Sequence, residues 1–141
     1  MKELYYLAGG FYSDWRARII VGMGLKDGDY FSPQEHNDQR AALTFVRDDL
    51  AAIDHSTAVI ARFHSAHACR GTAAEVGYAF ATSKPILLII EEPVPELFLV
   101  ALSQRMFTSV DAFLEWHAGR KARGLPVISR PKGKMIHVPN E

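Results

Sequence analysis

A chain of 141 residues is long enough for one domain with one real hydrophobic core. Its 48% hydrophobic and 23% charged residues are those of an ordinary globule, and 16 basic against 16 acidic residues leave no net field to draw it to DNA, RNA or an anionic membrane. The single cysteine, Cys69, excludes an internal disulfide and a cysteine-based zinc site.

The opening residues, MKELYYLAGGF, lack the long apolar run of a secretion signal. The strongest apolar run, residues 85–90, is too short to span a bilayer. The expectation is a cytoplasmic protein that meets a small molecule or another protein chain rather than nucleic acid or a membrane.

In chain order, the apolar run at residues 4–8 closes on Gly9 and Gly10, which predicts a buried strand and a tight loop. Ser13 or Asp14 is placed to cap a helix carrying Trp15, Ile19, Ile20 and Met23; Gly22 and Gly24 weaken it and put its end near Leu25. Residues 26–40, polar with Gly28 and Pro33, predict a surface loop flanking a short strand at Tyr30 and Phe31. Residues 41–53 predict a helix with Ala42, Phe45, Val46, Leu50 and Ile53 on one face.

A strand at 57–63, a polar loop at 64–71, a helix at 72–82 and a strand at 85–90 follow. Pro93 and Pro95 then break the chain before a segment at 98–102. A short strand at 106–108, an amphipathic helix at 110–123 and an irregular or hairpin-like tail from Leu125 complete the pattern. Apolar strands alternating with helices predict a single α/β domain: a doubly wound parallel sheet, flavodoxin-like or Rossmann-like, with helices on both faces. Ligands in such folds bind beyond the carboxyl ends of the strands, which directs attention to residues 9–14, 64–72 and 91–96.

Two stretches on that edge carry the chemistry. In YLAGGFYSD, residues 6–14, the paired glycines let backbone approach a ligand closely, although a plain strand-to-helix turn reads the same way. No dinucleotide or P-loop fingerprint is present. In the second stretch, residues 64–85, Glu75 stands among Ala73, Ala74, Val76, Gly77 and Ala79, a setting that suits a nucleophilic carboxylate. Thr72 and Glu75 equally spell a T-x-x-E capping box with no catalytic meaning. Asp48 and Asp49 lie late in their predicted helix, where the macrodipole disfavours an acid; a solvated face explains Asp48 better than Asp49.

Three blocks in order, YLAGGFYSD, DLAAI with STAVIARF, and GTAAEVGYAFATSKPILLI, resemble the nucleoside 2-deoxyribosyltransferase family and its relatives that hydrolyse nucleoside monophosphates. They cover roughly residues 4–90. The resemblance implies Glu75 as the nucleophile on the anomeric carbon, Tyr6 as the tyrosine that orients it and Asp49 as the acid that holds and protonates the base. Gly9, Gly10, Phe11, Asp14 and Gly71 fall at the pocket, with Phe11 and Tyr12 offering aromatic surface to a base.

Six residues before the glutamate this chain has Cys69, where such transferases often carry an aspartate and the hydrolases a serine. Cys69 is followed by Arg70, and His64, Ser65 and His67 lie nearby. Arg70 and the histidines could hold a phosphate or merely solvate an exposed loop. His64 and His67 also invite a metal reading, but no carboxylate lies at ligand spacing. Transfer and hydrolysis therefore both stay open.

The resemblance implies no metal or organic cofactor. It also implies a homodimer or higher homo-oligomer in which a neighbouring subunit completes the pocket through residues 98–107, with Ser103 and Gln104 reaching across. An internal packing helix is the plainer reading of that segment. A non-catalytic nucleotide-binding module and an interaction scaffold stand as the competing functions.

Overall fold

The computed structural model describes residues 2–36, 42–67, 69–93 and 95–128. Among the described residues, five strands form one parallel sheet: β1 (Tyr5–Gly9), β2 (Tyr30–Phe31), β3 (Ala58–His64), β4 (Ile86–Glu91) and β5 (Arg105–Phe107). Their order is β2-β1-β3-β4-β5, the doubly wound arrangement of the flavodoxin-like type. The helices are α1 (Trp15–Met23), α2 (Pro33–His36), α3 (Ala42–His55), α4 (Arg70–Ala81), α5 (Leu97–Leu102) and α6 (Val110–Ala122).

Strands buried on both faces read as nearly continuous apolar runs, and their alternate side chains split the core in two. Tyr5, Leu7, Ile60, Leu87 and Ile89 pack with Trp15 and Ile19 of α1 and Phe113 of α6. Tyr6, Ala8, Val59, Ala61 and Leu88 pack on the other face with Ile53 of α3 and with Val76 and Ala79 of α4. Adjacent tyrosines of β1 thus serve opposite faces, the Tyr5 hydroxyl donating to Glu3 and that of Tyr6 to Glu75.

Boundaries follow the expected pattern, including the end of α1 at Gly24, with informative departures elsewhere. Asp14 is the residue before α1, but its side chain makes no capping bond. Gly22 stays inside α1, where a Cβ would meet the Leu114 side chain of α6 at 2.5 Å, and Gly24 ends the helix in the left-handed conformation (φ 69°). Residues 33–36, expected as loop, form α2: proline suits the first helical position, and the Ser32 carbonyl accepts from the amides of Glu35 and His36. In α3 the buried row runs through Asp49 and Ile53 while Val46 is 48% exposed, so Val46 does not join the apolar face. The last strand begins one residue early, at Arg105.

Residues 125–128 are irregular, with Val127 and Ile128 against the α1–α6 core; the rest of the tail and residues 37–41 lie outside the described residues. Among the described residues no helix is long and apolar enough to cross a membrane.

Candidate active site

Helix α4 begins at Arg70 because Cys69 turns left-handed (φ 50°) and its carbonyl accepts from the Ala73 amide at 3.0 Å. Thr72 is therefore the third residue inside the helix, 5% exposed, and Glu75 sits in the second turn. That overturns the capping box, whose threonine would have to precede the helix. Thr72, Val76 and Ala79 are the buried residues of α4, and Glu75 borders that stripe at i+3 from Thr72 and i−4 from Ala79. Its Oε2 accepts a hydrogen bond from the Tyr6 phenol.

Tyr6 is fully buried and stacks on Phe31 of β2, ring centroids 5.6 Å apart, which fixes the direction of its hydroxyl. Asp49 of α3 is 7% exposed and near enough for its charge to act on both Tyr6 and Glu75. Burial pushes the Glu75 carboxyl up to about 7; the Tyr6 hydrogen bond and the charge of Arg16 pull it down, while Asp49 pushes it further up. Burial, then the negative charge of Glu75, drives the Tyr6 phenol far above its ordinary value. The shared proton accordingly stays on the tyrosine. A carboxylate that is half ionised near neutrality and oriented by one fixed donor can act as a nucleophile or as a general base.

The β1–α1 turn is held by Arg16, a residue without a role in the sequence reading. Its guanidinium is buried and donates to the carbonyls of Leu7 (3.1 Å), Gly9 (2.6 Å) and Gly10 (2.8 Å), and Trp15 Nε1 donates to the Gly10 carbonyl at 3.1 Å. A basic residue in the first helical turn opposes the macrodipole, and that is the signal the sequence offers for it.

Gly9 is glycine for packing: a Cβ there would lie 2.5 Å from Trp15 Cζ2 and 3.2 Å from the Arg62 carbonyl. Because Trp15 is 1% exposed it has little room to retreat. Gly9→Ala is expected to cost about 1–3 kcal/mol by overpacking, read as a fall in the urea midpoint; an unchanged midpoint would contradict the close packing.

The other candidates are less tightly gathered. Phe11 and Tyr12 are 41% and 58% exposed on the same turn, and the Tyr12 ring stacks on His67 of the β3–α4 loop at 3.9 Å. Asp14, Arg70 and Gly71 are exposed, and a Cβ at Gly71 would meet open space. Cys69 is a free, half-buried thiol. Among the described residues no three His, Cys, Asp or Glu side chains cluster to hold a metal ion.

Ser103 ends α5, its hydroxyl donating to the Val100 carbonyl at 2.7 Å. The next amide, of Gln104, bonds the Ile86 carbonyl where β4 begins. Ser103 thus stands at the amino edge of the sheet, away from the turns that surround Phe11 and Cys69. The α5 segment packs within the subunit along one side only: Leu99, Val100 and Leu102 lie half-buried against the core, while Leu97 and Phe98 are 78% and 71% exposed.

Solved structures share this fold. A 2-deoxyribosyltransferase from Bacillus psychrosaccharolyticus superposes with a TM-score of 0.66 at 17% identity, over 79% of this chain and 90% of that one. A 2-deoxyribosyltransferase from Leishmania mexicana gives 0.58 at 22% identity, over 82% and 97%. A CMP N-glycosidase from Clostridium botulinum gives 0.55 at 20% identity, over 81% and 97%. No curated protein sequence matches the chain significantly. The sequence profile described as nucleoside 2-deoxyribosyltransferase matches residues 5–101, from the start of β1 into α5, and so spans Tyr6, Asp49 and Glu75 together. The chain belongs to the nucleoside 2-deoxyribosyltransferase family.

Proposed function

We propose that this protein cleaves the N-glycosidic bond of a nucleoside or deoxynucleoside through a covalent glycosyl–Glu75 ester and passes the sugar to a second base. The observation that carries this reading is the Tyr6–Glu75 hydrogen bond in a desolvated site that Asp49 shares. With Oε2 engaged by the phenol, Oε1 attacks C1′. The bond from C1′ to the base nitrogen breaks, its electron pair leaving with the base, and Asp49 or its equivalent donor protonates that base. The transition state has oxocarbenium character, which the nearby carboxylate stabilises. A second base then attacks C1′ through its ring nitrogen, the bond from C1′ to Oε1 breaks with its electron pair returning to Glu75, and the incoming base's N–H proton passes back to Asp49. Neither metal nor organic cofactor takes part.

Hydrolysis of a nucleoside 5′-monophosphate is the alternative, with water as the second attacker. It is favoured by Arg70, exposed on the first turn of α4. The exposed apolar residues Leu97 and Phe98 support a homo-oligomer. Ser103 would reach an active site only across such an interface.

A panel of deoxynucleosides, ribonucleosides and their 5′-monophosphates, with and without a second free base, separates the readings by chromatography. Base exchange indicates transfer and base release alone indicates hydrolysis. Tight binding without turnover across the panel would leave only a binding module.

The pairing also sets the pH dependence. Glu75 must be ionised to attack, so kcat/KM should rise through about pH 7. Tyr6→Phe keeps the stack on Phe31 but removes the hydrogen bond that favours the anion. Its acid limb is expected to move to higher pH, with roughly a tenfold loss at pH 7 and partial recovery at pH 9. An unmoved limb would show that the phenol does not set the ionisation of the carboxylate.

A further inference from the structure

The first turn of a helix is a poor place for a cation, and a buried guanidinium is costly unless it is well bonded. Arg16 has both disadvantages: it is the second residue of α1 and is 5% exposed. Each of its hydrogen bonds among the described residues goes to a main-chain carbonyl at the end of β1 or in the turn that follows it. Its guanidinium also lies against two rings, 5.1 Å from the centroid of Phe11 and 4.6 Å from that of Trp15. Trp15 is core, whereas Phe11 is 41% exposed on the turn beside the site.

We propose that Arg16 is a positioning residue for this site: one buried guanidinium fixes the Gly9-Gly10 turn and one face of Phe11 while standing as counter-charge to the Glu75–Asp49 carboxylate pair. The inference rests on the reading of Glu75 as nucleophile and of Phe11 as a surface for the base. A planar fork is needed to bond three carbonyls and lie against a ring at once, and lysine has none. In a low-dielectric interior the charge acts beyond its contacts. Glu75 is faced by Tyr6 from β1, Asp49 from α3 and Arg16 from α1, and Arg16 also feels Glu35 from α2. Of these, Arg16 is the cation. Burial lowers the guanidinium to about 10, so it stays charged throughout the working range.

The two tasks separate by substitution. Arg16→Met removes the charge and the fork, whereas Arg16→Lys keeps a charge without the fork. Circular dichroism and thermal melts establish that each variant is folded. The Glu75 carboxyl is titrated by carbon NMR, its signal assigned by loss in Glu75→Gln, so this readout does not depend on turnover. Arg16→Met is expected to raise the Glu75 midpoint, and Arg16→Lys to leave it closer to the parent's. A merely structural arginine would lower the melting temperature and move neither midpoint.

On the substrate that the parent turns over fastest in the panel above, Arg16→Lys and the surface variant Phe11→Leu are both expected to raise KM about tenfold with kcat kept. An unmoved midpoint in folded Arg16→Met overturns the counter-charge. A parental KM in both Arg16→Lys and Phe11→Leu overturns the positioning of Phe11, and these two arms decide the matter if Arg16→Met does not fold. A parent that turns over nothing in the panel refutes the enzyme, while the NMR midpoints still report on Arg16.

Discussion

Glu75→Ala is expected to fold as the parent does and to release or exchange base at least about a hundredfold more slowly, the usual scale for removing a nucleophile. The fold should survive because Glu75 borders the buried stripe of α4 rather than lying in it, and alanine is the best helix former. The loss should appear mainly in kcat. A carboxylate that stabilises an oxocarbenium-like centre and then bonds to it works at the transition state rather than on the bound substrate. Chromatographic assay of free base beside a thermal melt checks both parts. A folded variant with parental rates would remove Glu75 from the mechanism and return the site to a mere binding pocket.

Glu75→Gln is expected to do the reverse for stability. The carboxyl of the folded protein titrates near 7, against an ordinary value of 4.5, so the folded state holds this proton more tightly than the unfolded chain does. The sign follows from linkage: this contribution is fully present below about pH 4.5 and is lost as pH rises to about 7. At 1.36 kcal/mol per pH unit the full loss is of order 3 kcal/mol, an upper bound for a group that retains some solvent contact. A glutamine side chain keeps an acceptor for the Tyr6 phenol and has no proton to lose.

The variant should therefore match the parent at pH 5 and exceed it at pH 8, by roughly 5–10 °C for a domain of this size. Parallel melting curves from pH 5 to pH 8 would show that the carboxylate is not held in a desolvated place. The two substitutions together place the site among those in which function is kept at some expense of stability.

Much of this arrangement is legible in the sequence because parallel strands covered on both faces leave strong apolar runs, as at Val59 to Ala61 and Leu87 to Ile90. The pairing of Tyr6 with Glu75 is suggested by resemblance, and the parallel register that sets β1 beside β3 brings it about. What escapes the sequence is local and has physical causes. The start of α4 depends on a cysteine in the left-handed region, which no propensity favours. Helix α2 has four residues, too few for any period to show. An apolar count puts Val46 on the buried face of α3, where Asp49 lies instead, and Arg16 sits in the same way among the buried residues of α1. A charged side chain on a buried row is itself a signal, and such a count passes over it. Ser103 is placed at the pocket by resemblance alone, whereas its own backbone neighbour, the Gln104 amide on the Ile86 carbonyl, puts it at the amino edge of the sheet.

The tandem tyrosines at the head of β1 bear on how the protein folds. Shifting that strand by one position would exchange its faces and still offer each face a phenol, so tyrosine alone does not specify the alignment. Their neighbours do. Such a shift would move the leucine side chain of residue 7 into the space that Ala8 fills beneath α3 and α4, and would bring a residue with a Cβ against the indole of Trp15 where Gly9 now lies. The small residues at 8 and 9 thereby choose which of two identical side chains meets the glutamate.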